Sequence, residues 1–216
     1  EIKLGEGFFK TGGKTQMQRQ LIDTERCGTL TEAVADETID GVTELAVMAV
    51  RLKVDAGKVS EIETLFTRKG DAAMATFYKP KALLETANQD WTTPLPAASR
   101  QTRAYMNDGA NKYFDGFAAD PKIEAPFATP CHRWEGGLQT TLKTGNCSAK
   151  GLVLTHVHRR FPVTDLELGL TAGFINFGGA LPDVHIFKYN KDGKIEMINA
   201  VFGGSQKGLI WPDETK

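Results

Sequence analysis

The second half of this 216-residue chain repeats two segments of the first half, in the same order. Arg19-Gln20-Leu21-Ile22-Asp23, running into Gly28-Thr29-Leu30, returns as Arg160-Phe161-Pro162-Val163-Thr164-Asp165, running into Gly169-Leu170-Thr171. Leu52 to Val59, leading to Glu63-Thr64-Leu65-Phe66, returns as Phe187 to Ile195, leading to Asn199-Ala200-Val201-Phe202. The later pair reads as a strand, a Gly-containing tight turn and a returning strand. Two echoes in one order imply duplication of a supersecondary unit, which confines the chain to two similar halves.

The expected division is a first unit over 1–78, a linker over 79–98 and a second unit over 99–216. The connector, from Lys79-Pro80 to Trp91-Thr92-Thr93-Pro94-Leu95-Pro96, has the proline content and polarity of a surface segment. Ser99 reads as an N-cap, followed by Met106, Ala110, Tyr113, Phe114 and Phe117 at the spacing of one helical face. Asp120-Pro121 ends that helix near Ala119. Strands are expected at Trp134–Thr141, Leu152–Thr164, Leu170–Phe177, Val184–Tyr189 and Ile195–Phe202, whereas Ile2–Lys10 opens the first half as a strand and turn. A helix followed by antiparallel strands predicts an α+β fold of two tandem cone-like units, each a curved sheet around a helix, the first without its N-terminal helical part.

Charge and composition exclude other classes. With 26 basic and 27 acidic residues the formal charge is -1, so no polyanionic partner is called for and nucleic acid is not expected. The most apolar stretch, Glu44 to Val54, is too short for a membrane span and carries Arg51 and Lys53. The chain opens at Glu1 rather than Met, as expected of a processed secreted chain or a partial one. Cys131 and Cys147 bracket a stretch that reads as a hairpin or long turn; they form either a local disulfide or two reduced, buried thiols. Asn146-Cys147-Ser148 is a glycosylation sequon at Asn146. There is no Cys-x-x-Cys pair, no Gly-x-Ser-x-Gly elbow, and Gly12-Gly13-Lys14 lacks the spacing of a phosphate loop.

All four histidines, His132, His156, His158 and His185, lie in the second half. His156, His158 and Arg160 share one strand face, and a third imidazole beside them would suit a metal, but no carboxylate sits at a telling spacing, so no metal is expected. The stronger candidate is the Asp183, His185, Phe187, Tyr189 face of one strand. It sets an ionisable ring beside a carboxylate and two aromatics, which is what cofactor-free proton transfer needs. Arg160 could hold a substrate oxygen, although its echo in Arg19 favours a structural role with Asp165 at a turn common to both units.

Tyr113-Phe114-Asp115-Gly116-Phe117, the stretch from Pro130 to Gly137, Arg159 to Asp165, Pro182 to Phe187 and Gly193-Lys194 resemble a fungal, largely secreted family of unknown function. That family is similar to the SnoaL-like, nuclear-transport-factor-2-like cone fold, and Asp23 to Glu32, Arg51 to Thr67 and Trp91 to Arg100 extend the resemblance to the first half. The resemblance implies a cone-shaped cavity between helix and sheet, in a broader fold that includes cofactor-free isomerases, dehydratases, aldol-type cyclases and lyases, and also binding and dimerisation modules. The expectation is a secreted pocket protein, without cofactor, for a small apolar or aromatic molecule. His185 would act as base and Asp183 would orient it, with Arg160 or Tyr113 polarising a substrate oxygen. Phe117, Trp134, His158, Phe187 and Tyr189 would contact the ligand. The alternative is a non-catalytic module that binds partners or forms a homodimer. A cavity beside His185 would favour chemistry, and a packed interior the alternative.

Overall fold

The computed structural model describes residues 5–71, 76–117, 124–141, 145–150, 152–154, 156–179 and 181–203, with the backbone alone for 156–158. The order of elements is α1 (Phe8–Thr11), β1 (Gly12–Asp23), β2 (Gly28–Ile39), β3 (Val42–Asp55), β4 (Lys58–Thr67), α2 (Pro80–Glu85), α3 (Arg103–Asp115), β5 (Phe127–Glu135), β6 (Leu138–Gln139), β7 (His156–Asp165), β8 (Leu170–Phe177), β9 (Leu181–Tyr189) and β10 (Ile195–Phe202). They form a mixed α+β structure with two open sheets, ordered β1-β2-β3-β4 and β6-β5-β10-β9-β8-β7.

Both echoes fall on one shared motif. β1 to β4 and β7 to β10 are each a four-strand antiparallel meander. Asp23 pairs with Gly28, which pairs with Lys53; Asp165 pairs with Leu170, which pairs with Lys188. Carrying that register along the strands makes Met48, Val50 and Leu52 the counterparts of Asp183, His185 and Phe187. One extra residue in β7 between Arg160 and Val163 opposes Phe174 to Ala172, a bulge that keeps Arg160 in the place of Arg19. The β2–β3 connection is a two-residue turn, and Asp40 and Gly41 both have positive φ, the conformation that follows the twist of a hairpin.

The meanders pack face to face. Leu30, Val34, Val47, Ala49 and Leu65 of the first sheet meet Val163, Ala172, Phe174, Val184 and Ile186 of the second in one core. At its edge two aspartates reciprocate: Asp23 Oδ2 accepts the Thr164 N–H and Asp165 Oδ2 accepts the Ile22 N–H, each at 2.9 Å. Each also accepts an N–H of its own turn, from Arg26 and Leu168 respectively. The buried pair Arg19–Glu32 reaches Asn199 of β10, while Arg160 of β7 reaches Glu63 of β4, the counterpart of Asn199. Arg160 therefore lies at the joint between the sheets, stacked 4.8 Å over Phe174, and not beside His185.

The opposite face of the second sheet carries α3. Met106, Ala110, Tyr113, Phe114 and Phe117 are buried there, as their spacing predicts. The cap is Thr102, whose hydroxyl accepts the Tyr105 N–H, rather than Ser99, which closes a 3-10 turn. The helix ends at Asp115 because Gly116 follows; the expected end near Ala119 and Asp120-Pro121 lie outside the described residues. Gly173 makes the approach of α3 possible, since a Cβ there would stand 2.9 Å from the Phe114 ring.

Several segments depart from expectation. Trp134–Thr141 is not one strand, because Gly136 and Gly137 take positive φ and turn β5 into the short β6. The strand expected from Leu152 begins at His156 as β7; of Ile2–Lys10, expected as a strand and turn, Ile2 to Leu4 lie outside the described residues and the rest forms a turn that leads into the short helix α1. The connector is not a purely surface segment: Leu83 and Trp91 join the inter-sheet core, and Arg19 donates to the Thr86 carbonyl at 2.8 Å and stacks 4.8 Å over Trp91.

Candidate functional site

Tyr113, Arg133, Glu135, Asp183 and His185, all buried, lie on the α3 face of the second sheet. In β5 the alternation of side chains turns Arg133 and Glu135 to this face, and His132 and Trp134 to the other. Across the sheet, Glu135 pairs with Ala200 and Ala200 with His185, so a single methyl separates the carboxylate and the imidazole in one row. The next row joins Arg133, Ile198 and Phe187, and Asp183 sits two residues before His185 on β9.

Tyr113 hangs from α3 into the middle of this set. Its hydroxyl accepts from Arg133 Nη1 at 3.1 Å and lies 3.5 Å from His185 Nε2. On the other side of the ring, His185 Nδ1 stands 2.9 Å from Asp183 Oδ2. Arg133 is held in turn by the Thr140 hydroxyl, the Cys147 carbonyl and Glu135. Arg133 can only donate, so Tyr113 accepts from it; the direction of the Tyr113–His185 contact follows the imidazole tautomer, and His185 Nδ1 faces Asp183 Oδ2 in close contact without the alignment of a hydrogen bond.

The surroundings decide the charges. Asp183 and His185 have no exposed surface, and Tyr113 is 1% exposed. Phe114, Phe187 and Phe202 stand 5.3 to 6.1 Å from the imidazole, centre to centre. Burial pulls His185 down to about 3, with Arg133 adding to the effect and Glu135 opposing it. Burial, reinforced by Glu135, raises Asp183 well above the carboxylate range, and burial raises Tyr113 as well. Burial also disfavours charge on Arg133, but Tyr113 and Glu135 beside it leave it raised. Burial thus favours the uncharged forms of the carboxyl, the imidazole and the phenol, next to a guanidinium that keeps its charge.

The expected hollow beside His185 is not found among the described residues. The ring is packed on every side, the arrangement expected of the non-catalytic alternative, and a narrow cleft with room for about one water opens one step away, at Tyr113. Lys112, Gly116, Phe127, Ser148 and Lys150 also line it. Of the expected ligand contacts, Phe117 and Phe187 pack on the Tyr113 ring. Tyr189 is buried and donates to the Met106 carbonyl at 2.6 Å. Trp134 is on the other face of the sheet, 6.0 Å from His132. The side chain of His158 lies outside the described residues. Cys131 and Cys147 are joined in a buried disulfide that anchors β5 to the segment lining the cleft, and Cys27 is an exposed free thiol. No group of three metal-ligating side chains occurs among the described residues, and no helix among them is long and apolar enough to cross a membrane.

The expected strand Trp134–Thr141 includes Glu135 and leaves out Arg133, and the sequence assigns neither a role. The signal that could have found them is their period of two after Cys131, which places all three on the helix side of one strand.

Comparison with known proteins bears on this half. No curated protein and no solved structure matches the chain significantly. A family model described as Domain of unknown function (DUF8021) matches residues 99–202, the stretch that runs through α3 and closes with β10 and holds every member of the buried chain; the second unit is similar to that family.

Proposed function

We propose that the second unit is a secreted, cofactor-free, SnoaL-like acid/base site for a small aromatic or polyketide-like molecule, acting as a lyase or isomerase. Its substrate enters at the Tyr113 cleft. The observation that supports the reading is the buried cluster of Arg133, Tyr113, His185 and Asp183 on the α3 face of the second sheet. Apolar residues serve the same positions in the first meander, where Met48 and Val50 stand for Asp183 and His185. Replacing buried polar pairs with well-packed apolar residues is often neutral or stabilising, so retaining four ionisable groups points to use rather than to folding.

In this reading Arg133, not Arg160, holds the Tyr113 hydroxyl, which relays a proton: it passes its own proton to His185 Nε2 as it takes one from the substrate, and the reverse transfer returns it. Asp183 beside Nδ1 orients the ring. The aromatic walls supply the apolar contact. The disulfide and the resemblance to a secreted family support an extracellular setting.

The test is to soak crystals with a panel of aromatic and polyketide-like compounds, and to follow the His185 ring resonances during titration. A compound seated against Tyr113 that shifts those resonances, with affinity lost in Tyr113→Phe, is the expected result. A compound lodged elsewhere, or one indifferent to Tyr113→Phe, removes the proposal.

One observation favours a second reading, association into a homodimer. Ile22, Val59 and Ile62, at one end of the outer face of the first sheet, and Ile39 and Val42, at the other, are all 40% or more exposed, with the buried Ala33, Ala35 and Met48 between them. Exposed apolar groups such as the Ile22, Val59 and Ile62 set mark interaction surfaces. Sedimentation equilibrium of the wild type against Ile62→Lys distinguishes a dimer through this face from a monomer.

A further inference from the structure

We propose that Asn146 is an N-glycosylation site whose occupancy is set by a race with closure of the Cys131–Cys147 disulfide. The sequon Asn146-Cys147-Ser148 places a disulfide cysteine between the acceptor asparagine and the hydroxyl that the transfer requires. The two outer residues are accessible, Asn146 exposed and Ser148 half-buried, whereas Cys147 has no exposed surface. A glycan on Asn146 is therefore compatible with the finished fold.

The finished fold is a poor acceptor nonetheless. Asn146 Oδ1 accepts the Ser148 N–H at 2.9 Å, Cys131 donates its N–H to the Gly145 carbonyl at 2.8 Å, and the Cys147 carbonyl accepts from Arg133. The disulfide adds a covalent tether to β5. A transferase must draw the tripeptide into its own groove, which means breaking all of these contacts at once. Before the thiols are joined, the segment is free to be drawn in.

The step is a substitution at carbon. Asn146 Nδ2 attacks the anomeric carbon of a lipid-pyrophosphate-linked oligosaccharide; the new N–C bond forms as the C–O bond to pyrophosphate breaks. The lipid pyrophosphate leaves with the bonding pair, and the proton from Nδ2 passes to a basic carboxylate of the transferase. The glycan would stand at the rim of the Tyr113 cleft, which Ser148 and Lys150 line.

The experiment is translation of the chain behind a cleavable secretory leader into endoplasmic-reticulum microsomes, under oxidising conditions and with dithiothreitol. Wild type, Ser148→Ala and Cys131→Ser are compared. The expected result is an endoglycosidase-sensitive shift in the wild type, its loss in Ser148→Ala, and a larger occupied fraction both in Cys131→Ser and in reduced wild type. Transfer precedes folding, so a Cys131→Ser chain that fails to fold still reports. No shift in Cys131→Ser or in reduced wild type overturns the site, and equal occupancy with and without dithiothreitol overturns the race.

Discussion

The two meanders share a strand order and a register, yet their outer faces have opposite fates. In the second, α3 covers the sheet and encloses Asp183, His185, Phe187 and Phe202, each no more than 2% exposed. In the first, the counterpart row of Met48, Val50, Leu52 and Phe66 is apolar, and its flanks, Ile22 and Ile62, are open. Topology alone therefore calls for neither the polar chain nor the helix. The inter-sheet face, by contrast, is treated alike in both halves, with Asp23 and Asp165 exchanging hydrogen bonds across it. The joint is common to the two halves, and the outer surfaces differ.

Phe187 and Leu52 occupy equivalent positions and make the comparison quantitative. Phe187→Ala removes a fully buried ring from a packed cluster and should cost about 3–5 kcal/mol, whereas Leu52→Ala, on a half-covered face, should cost about 1 kcal/mol. Urea denaturation measures both. Equal losses would show that the first face is as well packed as the second.

The aspartates offer a smaller contrast within the shared joint. Besides its two backbone donors, Asp23 takes both ends of the Arg103 guanidinium at 2.7 Å, which Asp165 does not. Asp23→Asn should cost about 2–3 kcal/mol and Asp165→Asn about 1–2 kcal/mol. Burial works against the charge on Asp23, but Arg103 and the Thr164 and Arg26 N–H groups overcome it and lower its pKa. The stabilisation is then complete above the unfolded carboxylate value and disappears as pH falls through the lowered folded one. Wild type and Asp23→Asn should converge in acid, and parallel curves down to low pH would refute the assignment.

How much of this was readable from sequence follows from the kind of signal involved. β8 and β10 are recovered to the residue, because Leu170–Phe177 and Ile195–Phe202 are predominantly apolar runs bounded by Gly or Lys. The helix was legible from its stripe, but not its cap, since Ser99 and Thr102 offer the same hydroxyl and only the fold selects between them. Asp183 and His185 were legible as i, i+2 neighbours on a strand. Arg133 entered the site from a parallel pairing of β5 with β10, a contact between residues far apart in the chain, and local pattern carries no trace of it. Arg160 was misplaced for the converse reason: its echo in Arg19 marks the inter-sheet joint, which the repeat had already indicated.

Grafting the first face onto the second tests the functional half of the comparison. Asp183→Met with His185→Val should leave the fold intact, and stability near neutral pH within about 1 kcal/mol. The pH dependence should flatten. With His185 held near 3 when folded, the unfolded chain takes up a proton as pH falls below about 6.5 and the wild type weakens toward acid; the variant lacks that loss. Asp183, raised by burial, gives the opposite limb, a stabilisation lost as pH rises from the unfolded carboxylate value, and the variant lacks that too. A variant that unfolds would make the polar pair part of the architecture.

The smallest expected effect lies on the open face. Ile62 is 40% exposed and pairs with Leu52, so Ile62→Lys should change unfolding free energy by no more than about 0.5 kcal/mol. The lysine stem still covers Leu52 while its ammonium reaches water. What should change is association: if two copies meet through this face, two ammonium groups enter the contact and the dimer dissociates at concentrations where the wild type remains paired. A large loss of stability in the isolated chain would instead mean that Ile62 is already covered, and that the two outer faces differ less than their exposure indicates.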